Sequence, residues 1–220
     1  TGKDKEFIKL VNNDTITGEN ASLFLNNATF SNGTGIRNGS CVGTQCPIFN
    51  MSGARFGADG MQFDGSNDFI KLTNLTSITR GLTLEAWIKT NAGAEMIVSK
   101  YDFGNNNRAY RLENPGPLKF VVSNDGTTTA DISGNVVLND GNWHHVAGTY
   151  SSDGSTATLR VYVDGALDGT VTSTTVTSVF EANAEVLVGA EKDNGAISAG
   201  DTYTGTIDEV SIWNVSLSSE

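Results

Sequence analysis

The sequence predicts an all-β protein, a two-sheet antiparallel β-sandwich, and three features of the 220-residue chain support this fold class. No window of a dozen residues keeps apolar side chains at the i, i+3, i+4 spacing of an amphipathic helix. Short apolar or alternating runs recur roughly every 8–14 residues, which is typical of sandwiches and jelly rolls. The 25 glycines and the abundant Asn, Thr and Ser favour turns and strands over helices.

Eleven segments have the apolar content or the alternation that β-strands require. In chain order they are Phe7–Val11, Gly60–Phe63, Phe69–Leu72, Leu82–Thr90, Met96–Lys100, Tyr110–Leu112, Leu118–Ser123, Trp143–Tyr150, Thr158–Val163, Val186–Gly189 and Thr206–Trp213.

Two local patterns make the strand prediction specific. The pair Asp164-Gly165 follows an apolar run and indicates a two-residue hairpin, because a type I′ turn needs positive φ at both central residues. The segment Leu82–Thr90 alternates strictly, so its two sets of side chains should lie on opposite faces. We expect Leu82, Leu84, Ala86 and Ile88 on one face and Thr83, Glu85, Trp87 and Lys89 on the other.

The chain shows no clear linker and no internal repeat, so we predict a single domain over residues 1–220. Residues 1–58 would form a leading strand and a long polar loop region, and residues 59–220 would form the main sandwich. A loop of that length is normally functional or tied down. Cys41 and Cys46 are close enough for a small disulfide loop that could tie it down, although two free thiols are the alternative.

The charge of the chain excludes some partners. Fourteen Lys and Arg against 25 Asp and Glu give a formal net charge of −11. Nucleic acids and anionic membranes both require a positive surface, so we predict neither as a partner. No apolar run approaches the roughly 18 residues of a membrane span, which argues against membrane insertion. The chain begins with Thr1, so either a leader has been removed or the chain is a fragment.

Asn-x-Ser/Thr triplets, the acceptor pattern for N-glycosylation, are concentrated near the amino terminus. Six of the eight Asn in the first 50 residues belong to such triplets. This density predicts an exported, glycosylated chain at the cell surface or outside the cell, and a polar surface without sugar is the alternative. The eight triplets begin at Asn13, Asn20, Asn27, Asn32, Asn38, Asn50, Asn74 and Asn214.

Seven sequence motifs follow one another along residues 60–220. They are Phe63-Asp64-Gly65-Ser66-Asn67-Asp68-Phe69-Ile70, Leu82-Thr83-Leu84-Glu85-Ala86-Trp87-Ile88-Lys89, Ile97-Val98-Ser99-Lys100, Trp143-His144-His145-Val146-Ala147-Gly148-Thr149-Tyr150, Val161-Tyr162-Val163-Asp164-Gly165, Gly205-Thr206-Ile207-Asp208-Glu209-Val210 and Leu217-Ser218-Ser219-Glu220. In this order they resemble the motifs of laminin-G-like jelly rolls in the concanavalin A-like lectin/glucanase superfamily.

The amino-terminal part is similar to microbial, often archaeal, surface versions of the family. The segments that carry this similarity are Phe7–Asn13, Gly18-Glu19-Asn20 and Arg55-Phe56-Gly57. The resemblance implies a concanavalin A-like jelly roll, an extracellular location and frequent calcium binding. It leaves the function open, because one fold hosts many functions.

The resemblance also implies where calcium would bind. In this family the acid of the "IDE" segment often lies near a structural ion whose other ligands come from the leading loop. That points to Asp208, with Asn13 and Asp14 opposite it, as a structural calcium site. The alternative is a hydrogen-bonded Asp208 that anchors the amino-terminal strand.

The sequence argues against catalysis. Glucanases of the superfamily carry Glu-x-Asp-x-x-Glu on one strand, and this chain has no such run. The adjacent acids Asp208 and Glu209 should point to opposite faces of a strand. The adjacent His144 and His145 should diverge in the same way, so they would not share a metal. We therefore predict no enzymatic activity and keep glycoside hydrolysis as a remote alternative.

Aromatic residues are candidates for contacts with sugar rings. Strand tryptophans of a jelly roll are usually core or half-buried residues, and we expect this of Trp87, Trp143 and Trp213. Tyrosines on loops would be better placed to meet a sugar, and the candidates are Tyr101, Tyr110 and Tyr203. The sequence does not select among them, and it identifies no ligand.

Two functions remain open besides the enzyme. The first is a non-catalytic extracellular module for recognition or adhesion, with a glycan or a surface protein as partner. The second is a self-assembling subunit of a filament, sheath or surface layer. In the second case residues 6–11, Glu6 to Val11, would add a strand to a neighbour's sheet and build a homopolymer. Pairing of that strand within its own sheet is the alternative.

Overall fold

The computed structural model describes residues 7–11, 28–31, 36–40, 47–50, 60–72, 78–93 and 95–218. These residues contain eighteen β-strands and no helix. Nearly all strand pairs are antiparallel, so the predicted all-β sandwich is confirmed. All eleven predicted strands are present, with boundaries shifted by a few residues.

The strand Gly81–Lys89 (β7) lies inside the first sheet and has a hydrogen-bonded neighbour on each edge. The strand order is β14-β13-β12-β7-β18, and β18 then pairs with both β5 and β1. The bounds are β14 (Ala166–Ser173), β13 (Ala157–Val163), β12 (Trp143–Ser152), β7 (Gly81–Lys89), β18 (Thr204–Trp213), β5 (Gly60–Asp64), β4 (Ile48–Asn50) and β1 (Phe7–Val11).

The second sheet has the order β11-β10-β9-β8-β15-β6-β3, and a hairpin of two further strands lies against β8. The bounds are β11 (Thr129–Val137), β10 (Pro117–Ser123), β9 (Asn107–Asn114), β8 (Glu95–Asp102), β15 (Val186–Val188), β6 (Ile70–Leu72), β3 (Ile36–Ser40), β2 (Ala28–Ser31), β16 (Ala190–Asp193) and β17 (Ala196–Thr202).

Opposite sides of the sandwich are closed by different devices. On one side the hydrogen-bonded ladder β18-β1-β2-β3-β6 runs from the first sheet into the second. On the other side the edge strands β11 and β14 meet. There Asp168 Oδ2 accepts hydrogen bonds from the backbone N–H groups of Asn135 (2.8 Å) and Val136 (3.1 Å). Both devices satisfy backbone groups that a free sheet edge would expose.

Alternation along the central strands builds the core, as the sequence predicted. Leu82, Leu84, Ala86 and Ile88 of β7 are all fully buried between the two sheets. Gly148 of β12 lies directly over Phe120 of β10, where a Cβ atom would come within 2.6 Å of the ring. The first sheet can approach the second this closely because the position carries no side chain.

The predicted hairpin turn is also confirmed. Val163 pairs with Ala166, which leaves Asp164 and Gly165 as a two-residue loop with φ of 50° and 82°. Both central residues of a type I′ turn need such positive values. The turn fixes the register of β13 and β14 at the edge of the first sheet.

The amino-terminal region contains more regular structure than its composition suggests. Three strands, β2, β3 and β4, lie within residues 12–58, where we expected a long polar loop. The strand over residues 7–11 pairs with β18 on one edge and with β2 on the other, both within its own chain. This is the intrachain pairing that the sequence analysis gave as the alternative, and the homopolymer through residues 6–11 stays a prediction.

No helix among the described residues is long and apolar enough to cross a membrane.

Candidate functional site

The outer face of the first sheet gathers aromatic side chains from three neighbouring strands. On β7 the apolar residues point inward, so Trp87 points outward. The register places His145 of β12 opposite Trp87, and their ring centroids are 5.3 Å apart. Trp143 lies two residues from His145 on the same face, and Tyr162 of β13 pairs with Ala147. We call the four rings of Trp87, Trp143, His145 and Tyr162 the aromatic face.

The four rings of the aromatic face are half-buried, so each keeps part of its surface in solvent. Trp213 on the neighbouring strand β18 is half-buried too. The expectation that the strand tryptophans are core or half-buried residues is therefore confirmed. The small residue Ala147 lies between Tyr162 on β13 and Glu85 on β7.

A carboxylate network borders the aromatic face. Glu85, two residues before Trp87, accepts a hydrogen bond from Nε1 of Trp213 at 2.8 Å. Its other oxygen lies 3.6 Å from Nε2 of His145. Burial alone would raise the pKa of Glu85, but hydrogen bonds from His145 and Trp213 outweigh it and leave this pKa lowered. Glu85 is therefore an ionised, fully engaged carboxylate.

Asp208 lies on the same outer face, opposite Trp87. A β-bulge in β18 follows directly: Glu209 adopts φ of 49°, and its N–H donates to Asp208 Oδ1 at 2.8 Å. Because of the bulge, Val210 returns to the core, where it is 2% exposed. Asp208 is 9% exposed, a buried carboxylate with a backbone partner.

The other residues of the predicted calcium site, Asn13 and Asp14, lie outside the described residues. Within the described part of the chain, no group of three or more His, Cys, Asp or Glu side chains is arranged to hold a metal ion. Cys41 and Cys46 also lie outside the described residues, so their predicted pairing stays a prediction.

The predicted glycosylation sites are only partly described. Asn38 lies in β3, Asn50 ends β4, and Asn214 directly follows β18. Those outside the described residues are Asn13, Asn20, Asn27, Asn32 and Asn74. Modification at all eight positions stays a prediction.

The two adjacent histidines diverge, as expected for neighbours on a strand. His145 belongs to the aromatic face. His144 points the other way, and both of its ring nitrogens meet carboxylates: Nδ1 is 2.8 Å from Asp164 Oδ2, and Nε2 is 3.2 Å from Asp140 Oδ1. Burial alone would lower the pKa of His144, but hydrogen bonds to Asp164 and Asp140 raise it.

The three tyrosines proposed as loop contacts are buried, so that prediction is wrong. Tyr101 lies in β8 and is 4% exposed, Tyr110 lies in β9 and is 1% exposed, and Tyr203 is fully buried. Tyr203 packs edge-on against Phe63 at 5.9 Å. Burial of the large apolar area of each ring stabilises the fold more than an exposed position would.

Among the residues that the structure describes, the exposed aromatic residue on a loop is instead Phe103, between β8 and β9, which is 51% exposed. The guanidinium of Arg108 stacks on its ring at 4.1 Å and also donates to the carbonyls of Phe103 and Thr127, both at 3.1 Å. The sequence analysis missed this position because nothing in the segment distinguishes an exposed ring from a buried one. We call Phe103 and Arg108 the loop platform.

Comparisons with known proteins agree with this architecture. A family model described as "Concanavalin A-like lectin/glucanases superfamily" matches residues 64–220. Curated relatives include the Sushi, von Willebrand factor type A, EGF and pentraxin domain-containing protein 1 of Rattus norvegicus, which is 31% identical over 83 residues. The Mus musculus protein of the same name is 30% identical over 83 residues. Each match covers 37% of this chain and 2% of the relative, so the chain spans only a small part of their length.

Solved structures show the same fold at low sequence identity. The binding domain of Paraclostridial Mosquitocidal Protein 1 has a TM-score of 0.66 at 15% identity, over 98% of this chain and 50% of that chain. The botulinum neurotoxin type G receptor binding domain has a TM-score of 0.63 at 13% identity, over 97% and 48%. A heptameric SAP-like pentraxin from Limulus polyphemus has a TM-score of 0.53 at 18% identity, over 81% of both chains.

Proposed function

Because the chain belongs to the laminin G-like family of the concanavalin A-like lectin/glucanases superfamily, we propose that it is a non-catalytic extracellular recognition module that binds a glycan. The observation that carries the proposal is the aromatic face. Half-buried rings offer apolar surface to the carbon–hydrogen faces of a sugar, and the polar edges of Trp, His and Tyr suit its hydroxyl groups. The triplets that predict N-glycosylation support a location outside the cell, and a surface protein is the alternative partner.

The lowered pKa of Glu85 supports a binding function over hydrolysis. A glycosidase needs one carboxylic acid whose pKa is raised, so that it can protonate the leaving group. The pKa of Glu85 is lowered, and both of its oxygens already have partners. These features do not give Glu85 the environment of a general acid.

The proposal is tested by glycan-array screening followed by calorimetry on the best ligand. We expect Trp143→Ala and Tyr162→Ala each to weaken binding at least tenfold, because each removes one stacking surface. Val137→Ala is the matched control, since Val137 is 57% exposed on β11, an edge strand of the second sheet. This control should bind like the wild type, with an unchanged melting temperature.

Other outcomes would contradict the proposal in distinct ways. If Phe103→Ala abolishes binding and the aromatic-face variants do not, the ligand binds at the loop platform and the assignment of the site is wrong. If the protein releases reducing sugar from a β-glucan, and Glu85→Gln stops the release, the non-catalytic function itself is wrong.

We also propose a structural calcium ion held by Asp208 together with Asn13 and Asp14. The burial of the Asp208 carboxylate supports this, because a buried carboxylate is expected to be paired or to bind a cation. We expect added calcium to raise the melting temperature of the wild type and to leave that of Asp208→Ala unchanged. A wild-type melting curve that is the same with calcium and with chelator would exclude the ion.

A further inference from the structure

His144 joins two connections at one end of the sandwich. It is the second residue of β12, and residues 138–142 connect β11 to the first residue of that strand, Trp143. Asp140 of this connection contacts one ring nitrogen, and Asp164 of the β13–β14 turn contacts the other. The imidazole is partly shielded from solvent, with 14% of its side-chain surface exposed.

The hydrogen-bond chemistry sets the protonation state. An ionised carboxylate only accepts hydrogen bonds, so a ring nitrogen that bonds to one must carry a proton. His144 contacts a carboxylate at both nitrogens, so both contacts are hydrogen bonds only when the ring is an imidazolium. When the ring is neutral, one nitrogen bears a lone pair that faces a carboxylate oxygen, and that contact becomes repulsive.

The contact with Asp140 is the one that a neutral ring would lose. The distance to Asp140 is 3.2 Å, against 2.8 Å to Asp164. The turn is also tied to β12 without the ring, because Asp164 Oδ1 accepts from the N–H of His145 at 2.9 Å and the N–H of Asp164 donates to the carbonyl of His145 at 2.8 Å. Asp140 has no such backbone tie to β12 among the described contacts; its other partner is Asn142 in its own connection.

We propose that His144 is a proton-operated latch, which holds residues 139–142 against β12 when it is protonated and releases them when it is neutral. The charged groups that face the ring are Asp140 and Asp164. From β7 the residue opposite His144 is the apolar Ile88. The raised pKa of His144 agrees with a ring that is protonated in the closed state.

The latch would bear on recognition, because Trp143 of the aromatic face lies between the released connection and His144. This consequence rests on the proposed function, but the latch itself does not. It can be tested without any ligand, so its failure and that of glycan binding are distinguishable.

The backbone N–H of Gly141 reports on the latch, since it donates to the carbonyl of Thr90 at 2.9 Å and so ties the connection to the end of β7. The experiment is amide hydrogen exchange of residues 139–142 from pH 5.5 to pH 8.5, corrected for intrinsic rates, with NMR titration of both histidines. We expect the protection factor of Gly141 to fall at least tenfold as the pH rises through the pKa of His144. Below that pH both ring nitrogens of His144 should carry protons.

Variants separate the latch from general loosening. In His144→Gln the protection of Gly141 should be low and independent of pH, and in Asp140→Asn the pKa of His144 should fall. His145→Gln is the matched control, because His145 lies on the opposite face, and it should keep the wild-type pH dependence. If His144→Gln does not fold, the wild-type titration alone decides. A flat protection factor for Gly141 in the wild type, or an unchanged pH dependence in His144→Gln, would overturn the proposal.

Discussion

Glu85 and Glu191 lie on the outer sides of the two sheets, and their environments shift their pKa values in opposite directions. Glu85 is half-buried beside Trp213 and His145, whose hydrogen bonds outweigh burial and lower its pKa. Glu191 is 4% exposed and faces Arg111. One guanidinium nitrogen of Arg111 donates to both carboxylate oxygens of Glu191, at 2.9 and 3.0 Å. There burial outweighs the guanidinium and raises the pKa to about 7.

The difference lies in how much solvent each carboxylate gives up. Arg111 points outward from β9, stacks on Tyr101 at 4.6 Å, and is covered by the β16–β17 hairpin that carries Glu191. Both partners of a buried ion pair lose their hydration. Their mutual attraction offsets this free-energy cost only when the hydrogen-bond geometry is good. On the first sheet, Glu85 keeps access to water, so its desolvation penalty is smaller. The second sheet therefore depends more on its pair than the first sheet depends on Glu85.

The largest expected effect comes from breaking the buried pair. Arg111→Ala leaves the Glu191 carboxylate buried without its cation, and we expect a loss of about 3–5 kcal/mol in the free energy of unfolding. Urea denaturation at pH 9 measures it, because Glu191, whose pKa is about 7, is ionised there. Lys119→Ala is the control, because the ammonium of Lys119, 3.6 Å from Glu113, is partly exposed and should contribute less than about 1 kcal/mol. Equal losses in the two variants would show that Arg111 does not anchor the hairpin.

The second effect is a pH dependence of known sign. A carboxyl group whose pKa is raised in the folded state holds its proton more tightly there than in the unfolded chain. Stability from Glu191 is therefore present below about pH 4.5, the ordinary value, and is lost as the pH rises towards about 7. Urea denaturation at half-unit intervals should show this decline in the wild type. Glu191→Gln cannot titrate, so an identical decline in that variant would refute the assignment.

The strands that the sequence predicted and those that it missed occupy different places in the fold. The central strands have neighbours on both edges and bury one full face, which requires the alternation seen in Leu82, Leu84, Ala86 and Ile88. The strands β11 and β14 lie at sheet edges and contain Gly134 and Gly169, so their pattern is weak. Their pairing depends on the seam at Asp168, a contact between residues far apart in sequence.

The candidate site was less predictable than the fold, because its parts are assembled by register. Alternation placed Glu85 and Trp87 on one face of a strand, and the divergence of His144 and His145 followed from the same rule. The hydrogen-bond partners of these residues could not be predicted from alternation. Asp164, which bonds to His144, lies in the turn after the next strand, and Trp213, which bonds to Glu85, is 128 residues away in sequence. The tyrosine prediction failed for a related reason, because short segments do not show which rings the core will bury.

The smallest expected effect comes from Glu85 itself. Glu85→Gln keeps an oxygen that can accept from Trp213 Nε1 and removes only the charge facing His145. We expect a loss of about 0.5–1.5 kcal/mol at pH 7, the contribution of a partly exposed charged hydrogen bond. Because the pKa of Glu85 is lowered on folding, this contribution is present above about pH 4.5 and disappears as the pH falls through the folded value. Wild type and variant should therefore converge at low pH, in contrast to Glu191, whose contribution is largest there. A loss as large as that of Arg111→Ala would mean that both outer faces depend equally on their carboxylates, and the contrast between the two sheets would not hold.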